Sequence, residues 1–161
     1  MTEKCQLTML LLCLCVAACF NSTAAQPVMD GNKKIHECIA AARFAGLYPG
    51  RCVGVLADPC INSVAGKDDA VDKAKECAAQ ELKIWAARLD KTLTAIKRAD
   101  ADISFIVWKA QKTWGPADEF CPVFDKAGPG AALGAAEYCR LQTVSARALL
   151  LEGLELSVSE H

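Results

Sequence analysis

Two histidines, His36 and His161, are the side chains best suited to act as a base near neutral pH. A hydrolase-type triad needs a nucleophile, a base and an orienting group within reach of one another. His161 ends the sequence and reads as a frayed terminus. His36 is followed by Glu37, but adjacent residues on a helix point apart, so His36 is expected to face solvent. Paired carboxylates offer a second chemistry, general acid and base. The candidates are Asp68-Asp69, Asp100 with Asp102, and Asp118-Glu119. All fall at expected helix ends or turns, where the helix dipole and solvation already account for acids. Gly128-Pro129-Gly130 lacks the length and the lysine of a phosphate-cradling loop and reads as a turn. No catalytic, cofactor-binding or metal-ligating set emerges, and the expectation is a protein that is not an enzyme and carries no cofactor.

Charge narrows the partners. The sequence has 18 Lys plus Arg and 19 Asp plus Glu, a formal net charge of −1. Nucleic-acid binding requires a concentrated basic surface, and none is visible along the chain. Nor is there a polybasic segment for a membrane surface. A protein partner is the remaining expectation, with membrane contact only through a lipid anchor.

That anchor would come from the first residues. Met1-Thr2-Glu3-Lys4 precedes an apolar run from about Leu7 to Phe20. The run fits the hydrophobic region of a signal peptide and is short of the roughly 20 residues needed to span a bilayer. Asn21 to Ala25 supplies small residues for cleavage before Gln26, giving a signal peptide over 1–25 and one domain over 26–161. Val16-Ala17-Ala18-Cys19 also reads as a lipobox, which would place lipid on Cys19. The expected location is periplasmic or secreted, or alternatively anchored to the envelope by lipid.

Beyond the leader remain Cys38, Cys52, Cys60, Cys77, Cys121 and Cys139. An even number in an exported chain reads as three disulfides, and six cysteines allow 15 pairings. Spacing favours Cys121–Cys139, which would staple the Pro/Gly-rich stretch from Pro122 to Gly130 between two helices. The other four would pair among themselves. No Cys-x-x-Cys occurs beyond the leader and His36 is the one internal histidine, which argues against zinc.

The elements that must position these residues are helical, since the chain is rich in Ala, Leu, Lys and Glu and shows no strand alternation. Four helices are predicted. The first covers Lys33 to Leu47, with Asn32 as N-cap and Ile35, Cys38, Ile39 and Ala42 on one face. Residues 50–68 are expected to be a loop-rich connector. The second covers Ala70 to Ala99, with acids at its start, Lys97 and Arg98 at its end, and an inner stripe of Leu82, Trp85, Leu89, Leu93 and Ile96. The third covers Ala101 to Trp114, with Ile103, Ile106, Val107, Ala110 and Trp114 facing inward. Gly115-Pro116 interrupts it, and a helical turn resumes toward Cys121. The fourth covers Ala131 to Leu156. The predicted fold is all-α: a small, disulfide-braced antiparallel bundle of about four helices, the first pinned on by a disulfide. Trp85 and Trp114 are expected in the core. Trp108 lies off the inner face with Phe105, and that exposed pair is a candidate partner-binding spot.

An ordered set of residues carries a family resemblance. Cys52-Val53-Gly54 precedes Asp58-Pro59-Cys60; Cys77-Ala-Ala-Gln-Glu81 leads to Trp85 and Leu89-Asp90-Lys91-Thr92-Leu93; Ala110-Gln111-Lys112-Thr113-Trp114 follows. Cys121, Cys139, Thr143 and Arg147-Ala148 complete the set. This stretch resembles the LprI-like lysozyme-inhibitor family of bacterial envelope proteins, whose signature is Ala-Gln-basic-x-Trp. Signature positions are Ala110, Gln111, Trp114, Thr143 and Arg147. The chain departs from the family at Leu93-Thr94 and Lys97, where Leu-Asn and then a Tyr are usual. It departs again at Gly115 to Glu119, which is one residue shorter and lacks the usual Arg-Asp pair. The resemblance implies a binding protein that occludes a lysozyme cleft. The surface expected to do so is the Trp114–Cys139 connection, with Asp118, Glu119 and Asp125 facing a basic enzyme. The alternative is a structural or scaffold protein of the envelope without inhibitory activity.

Overall fold

The computed structural model describes residues 26–99, 101–114, 120–126 and 133–159. The leader, Cys19, Asp118 and Glu119 lie outside the described residues. The chain divides into two compact units, Met1–Asp30 and Gly31–His161. The described part of the first unit is the opening of helix α1.

Five α-helices make up the described residues, with no strand: α1 Gln26–Phe44, α2 Ala57–Val64, α3 Ala70–Ala99, α4 Ala101–Trp114 and α5 Ala135–Ser159. Two 3-10 turns, Pro49–Cys52 and Cys121–Lys126, link them. The fold is all-α and braced by three disulfides, Cys38–Cys52, Cys60–Cys77 and Cys121–Cys139. The pairing favoured by spacing is present. The first bridge ties α1 to the turn after it, the second ties α2 to α3, and the third ties the second turn to α5.

The core runs through all five helices. Ile35 and Ile39 of α1, Ala57 of α2, Trp85, Leu89 and Ile96 of α3, Val107 of α4, and Leu141, Ala148 and Leu149 of α5 form one buried cluster. Helix α3 is its spine. Gly134, at the head of α5, abuts the Ala74 backbone near the start of α3, and further along Glu152 of α5 meets Arg88 of α3. Those two contacts set α5 and α3 running in the same direction, not antiparallel as the sequence reading expected, because the 115–134 connection is long enough to return the chain to the start of α3 before α5 begins. Helix α4 folds back along the end of α3 in the antiparallel sense.

Four details depart from the sequence reading. Helix α1 begins at Gln26 and passes through Asn32, the expected cap. Gly31 lies inside the helix at a close approach, where a Cβ would come within 3.0 Å of the Leu56 and Ile84 side chains. The connector over 50–68 contains α2. Pro59 disguises that helix, yet it sits in the first turn, where its missing N–H is no loss. The buried stripe of α3 is rotated toward Cys77, Glu81, Trp85, Leu89 and Ile96, leaving Leu82 and Leu93 at its edge. The inner face of α4 shrinks to Val107 with half-buried Ile103: Ile106 is 65 % exposed, Ala110 is exposed and Trp114 is 37 % exposed. Helix α4 rests against one edge of the bundle, so a single narrow stripe suffices to seat it.

Candidate functional site

The scaffold is locked by a buried acid. Glu81 is fully buried on α3, one turn after Cys77 and one before Trp85. Its Oε1 accepts the Gly54 N–H at 2.8 Å and the Trp85 indole N–H at 3.0 Å. Its Oε2 accepts the Leu56 and Ala57 N–H groups, both at 2.8 Å. Leu56 is the N-cap of α2 and has no side-chain acceptor of its own, so Glu81 caps α2 from a different helix. Two donors on each oxygen satisfy a carboxylate that burial would otherwise penalise heavily. The Cys52–Cys60 segment is thus held by a carboxylate in its middle and a disulfide at each end.

Beside it, the Tyr138 hydroxyl donates to Asp58 Oδ1 at 2.8 Å, joining α5 to α2. Burial, reinforced by the Asp58 charge, pushes the Tyr138 hydroxyl above its ordinary pKa. Glu152 of α5 accepts from Arg88 of α3 at 2.8 Å and from Arg43 of α1 at 3.2 Å, and the Arg88 guanidinium lies 5.7 Å from the Trp85 ring centre. These contacts hold three helices together around the core.

On this frame α4 presents aromatic side chains outward. Phe105 and Trp108 are 60 % and 52 % exposed and stack with ring centres 6.0 Å apart. Lys112, one turn on, places its ammonium 4.0 Å above the Trp108 ring. Behind the pair lies a groove of about 490 Å³ between α4, the end of α3 and α5. Leu93, Ile96 and Val107 form its apolar floor, and Lys97, Gln111 and Arg147 supply its polar groups. The Gln111 side-chain oxygen is buried there and accepts no hydrogen bond from the described residues. The groove can hold a partner group by ring stacking and by donors to one amide.

No family model, no curated protein and no solved structure matches this chain. Its own geometry is therefore what bears on function.

The structure brings together some of the residues singled out in the sequence and scatters others. Gln111 and Arg147, from two helices, line one groove with Phe105 and Trp108. Thr143 donates to the Cys139 carbonyl at 3.0 Å and serves its own helix. Ala110 and Trp114 lie at the surface of α4. Trp114 is thereby moved out of the core, since α4 meets the bundle along Val107 and not along its last turn. Asp125 belongs to the second 3-10 turn. In the same turn Phe124 meets Phe120, just before it, edge to face at 5.9 Å. His36 is exposed on α1. Among the described residues no group of three His, Cys, Asp or Glu side chains gathers at one point that could hold a metal.

Sequence reasoning missed Glu81, although a signal was present. An acid at the i+4 step between Cys77 and Trp85, both on the buried face, had to be either paired or fatal to the helix packing. It also missed Phe44 and Tyr48, two of the most exposed large side chains in the molecule.

Proposed function

We propose that this chain is an exported, non-enzymatic binding protein of the LprI type that occludes a lysozyme cleft. The supporting observation is a scaffold fixed by three disulfides and by Glu81 that leaves stacked aromatic rings on its surface. Such rings supply large contact area, and fixing them beforehand limits the entropy lost on binding. Gln111 and Arg147, two residues of the LprI-like set, stand beside them. Three disulfides fit an oxidising compartment outside the cytoplasm, and no described helix is long and apolar enough to cross a membrane. On this reading the protein acts in the periplasm or after secretion, or from a lipid anchor on Cys19.

A lysozyme activity assay with the purified, oxidised domain over 26–161 tests the reading. Inhibition of at least one lysozyme type is expected. No inhibition of several types at micromolar excess would leave the envelope-scaffold role in its place. Intact mass of the mature protein distinguishes cleavage near Ala25 from lipid on Cys19.

A further inference from the structure

We propose that the segment Phe44–Arg51 is the element that enters the lysozyme cleft, an inference that rests on the reading above and gives it a specific contact. The groove beside Trp108 is concave, whereas filling a cleft requires a convex element. Phe44 is 96 % exposed, Tyr48 71 % and Leu47 46 %, all within five consecutive residues. Four features fix this apolar tip. Helix α1 ends in a Schellman turn: Gly46 adopts φ +66, the Leu47 N–H donates to the Ala42 carbonyl at 2.8 Å, and the Gly46 N–H donates to the Arg43 carbonyl at 3.0 Å. Pro49 then opens the 3-10 turn Pro49–Cys52. The Tyr48 ring lies against Gly50, where only a glycine leaves it room. Cys52, fully buried, closes the segment onto Cys38 through the first disulfide.

Charge decides which occupant fits. From Cys38 to Ala57 the sequence contains no Asp or Glu, and its charged residues are Arg43 and Arg51. Arg43 is engaged with Glu152, while Arg51 is exposed at the end of the tip. A glycoside hydrolase that uses two carboxylates carries them in its cleft. An exposed arginine in the same short segment as an exposed tyrosine and phenylalanine matches that target: the guanidinium pairs with a cleft carboxylate and the rings take the place of sugar faces. Arg and Tyr are also among the residue types that dominate protein interfaces.

The test uses the oxidised domain over 26–161 and a lysozyme that it inhibits. Phe44 and Tyr48 are solvent-exposed, so the double variant F44A/Y48A and the variant R51E are expected to keep the helical content and all three disulfides, checked by circular dichroism and thiol titration. Each is expected to weaken inhibition at least about tenfold. A chitooligosaccharide held in the enzyme cleft is expected to compete with the wild-type protein for binding. Undiminished inhibition by both variants, or binding indifferent to the oligosaccharide, overturns the tip assignment and leaves the inhibitor reading standing on another surface. Wild-type protein that inhibits no lysozyme removes both. A loss in the variants of binding to anionic vesicles or of self-association, with inhibition intact, would make the tip a lipid or dimer contact and also overturn the assignment.

Discussion

Glu81 occupies a place where a leucine would be the simpler choice, the buried face of the longest helix. Its value lies in the four donors it satisfies, three of them backbone N–H groups of a segment with no ladder or cap to use. Removing one buried partner costs about 1–3 kcal/mol for each orphaned group. Glu81→Ala should therefore destabilise the domain by roughly 4 kcal/mol or more, read from urea unfolding followed by circular dichroism. Glu81→Gln keeps the shape but turns an acceptor into a donor, and a smaller loss of about 2 kcal/mol is expected. A Glu81→Ala domain that unfolds at the wild-type urea concentration would show that the segment holds itself. Tyr138 gives a pH signature. Its hydroxyl is pushed up by burial and by Asp58, so the folded state retains a proton that the unfolded chain releases at about pH 10. The stability from this group is full below about pH 10 and is lost as pH rises through the higher folded value. Tyr138→Phe should flatten that alkaline decline, as measured by thermal unfolding between pH 9 and 11; a decline unchanged by the substitution would assign it elsewhere.

Among the elements, two glycines with positive φ end or start helices under different pressures. Gly46, φ +66, closes α1 in open space, so Gly46→Ala should cost about 1 kcal/mol, the strain of a left-handed residue. Gly134, φ +68, carries the same strain, and its added Cβ would also meet the Ala74 carbonyl carbon at 3.0 Å. Backbone cannot swing aside as a flexible side chain can, so Gly134→Ala should cost at least about twice as much. Equal shifts in melting temperature for the two variants would contradict the close seating of α5 on α3. The elements themselves were largely legible. Helix α3 was visible to its ends because acids, a periodic apolar stripe and terminal lysine and arginine agree. Helix α2 was hidden because its stability comes from outside its eight residues: a carboxylate on α3 and a disulfide to Cys77. The exposed Phe105–Trp108 pair was legible from the angle between those residues and Val107. The exposure of Ile106 and Trp114 was not, because periodicity shows that a helix has an apolar side but not how wide a neighbour covers it. The burial of Glu81 left a trace in the sequence, but the groups it caps and the aromatic tip are tertiary facts, visible only once α1 and the 52–60 segment are laid against α3.

Across the whole molecule, the helices are organised by cross-links as much as by core. The three disulfides span separations of 14, 17 and 18 residues, and loops of that size are worth roughly 3 kcal/mol each in the chain-entropy description. They tie α1 to the 52–60 segment, that segment to the spine formed by α3, and the turn before α5 to α5 itself. On the proposed reading, the Phe105–Trp108 pair and the Phe44–Arg51 tip can meet a partner in a fixed arrangement only while that bracing holds. The most direct measurement is the inhibition of a susceptible lysozyme by the oxidised domain beside the same domain after reduction and alkylation. The oxidised protein is expected to inhibit at micromolar concentration, and the reduced, alkylated protein to lose this activity. Equal activity of the two forms, or none from the oxidised form against several lysozyme types, would contradict that expectation.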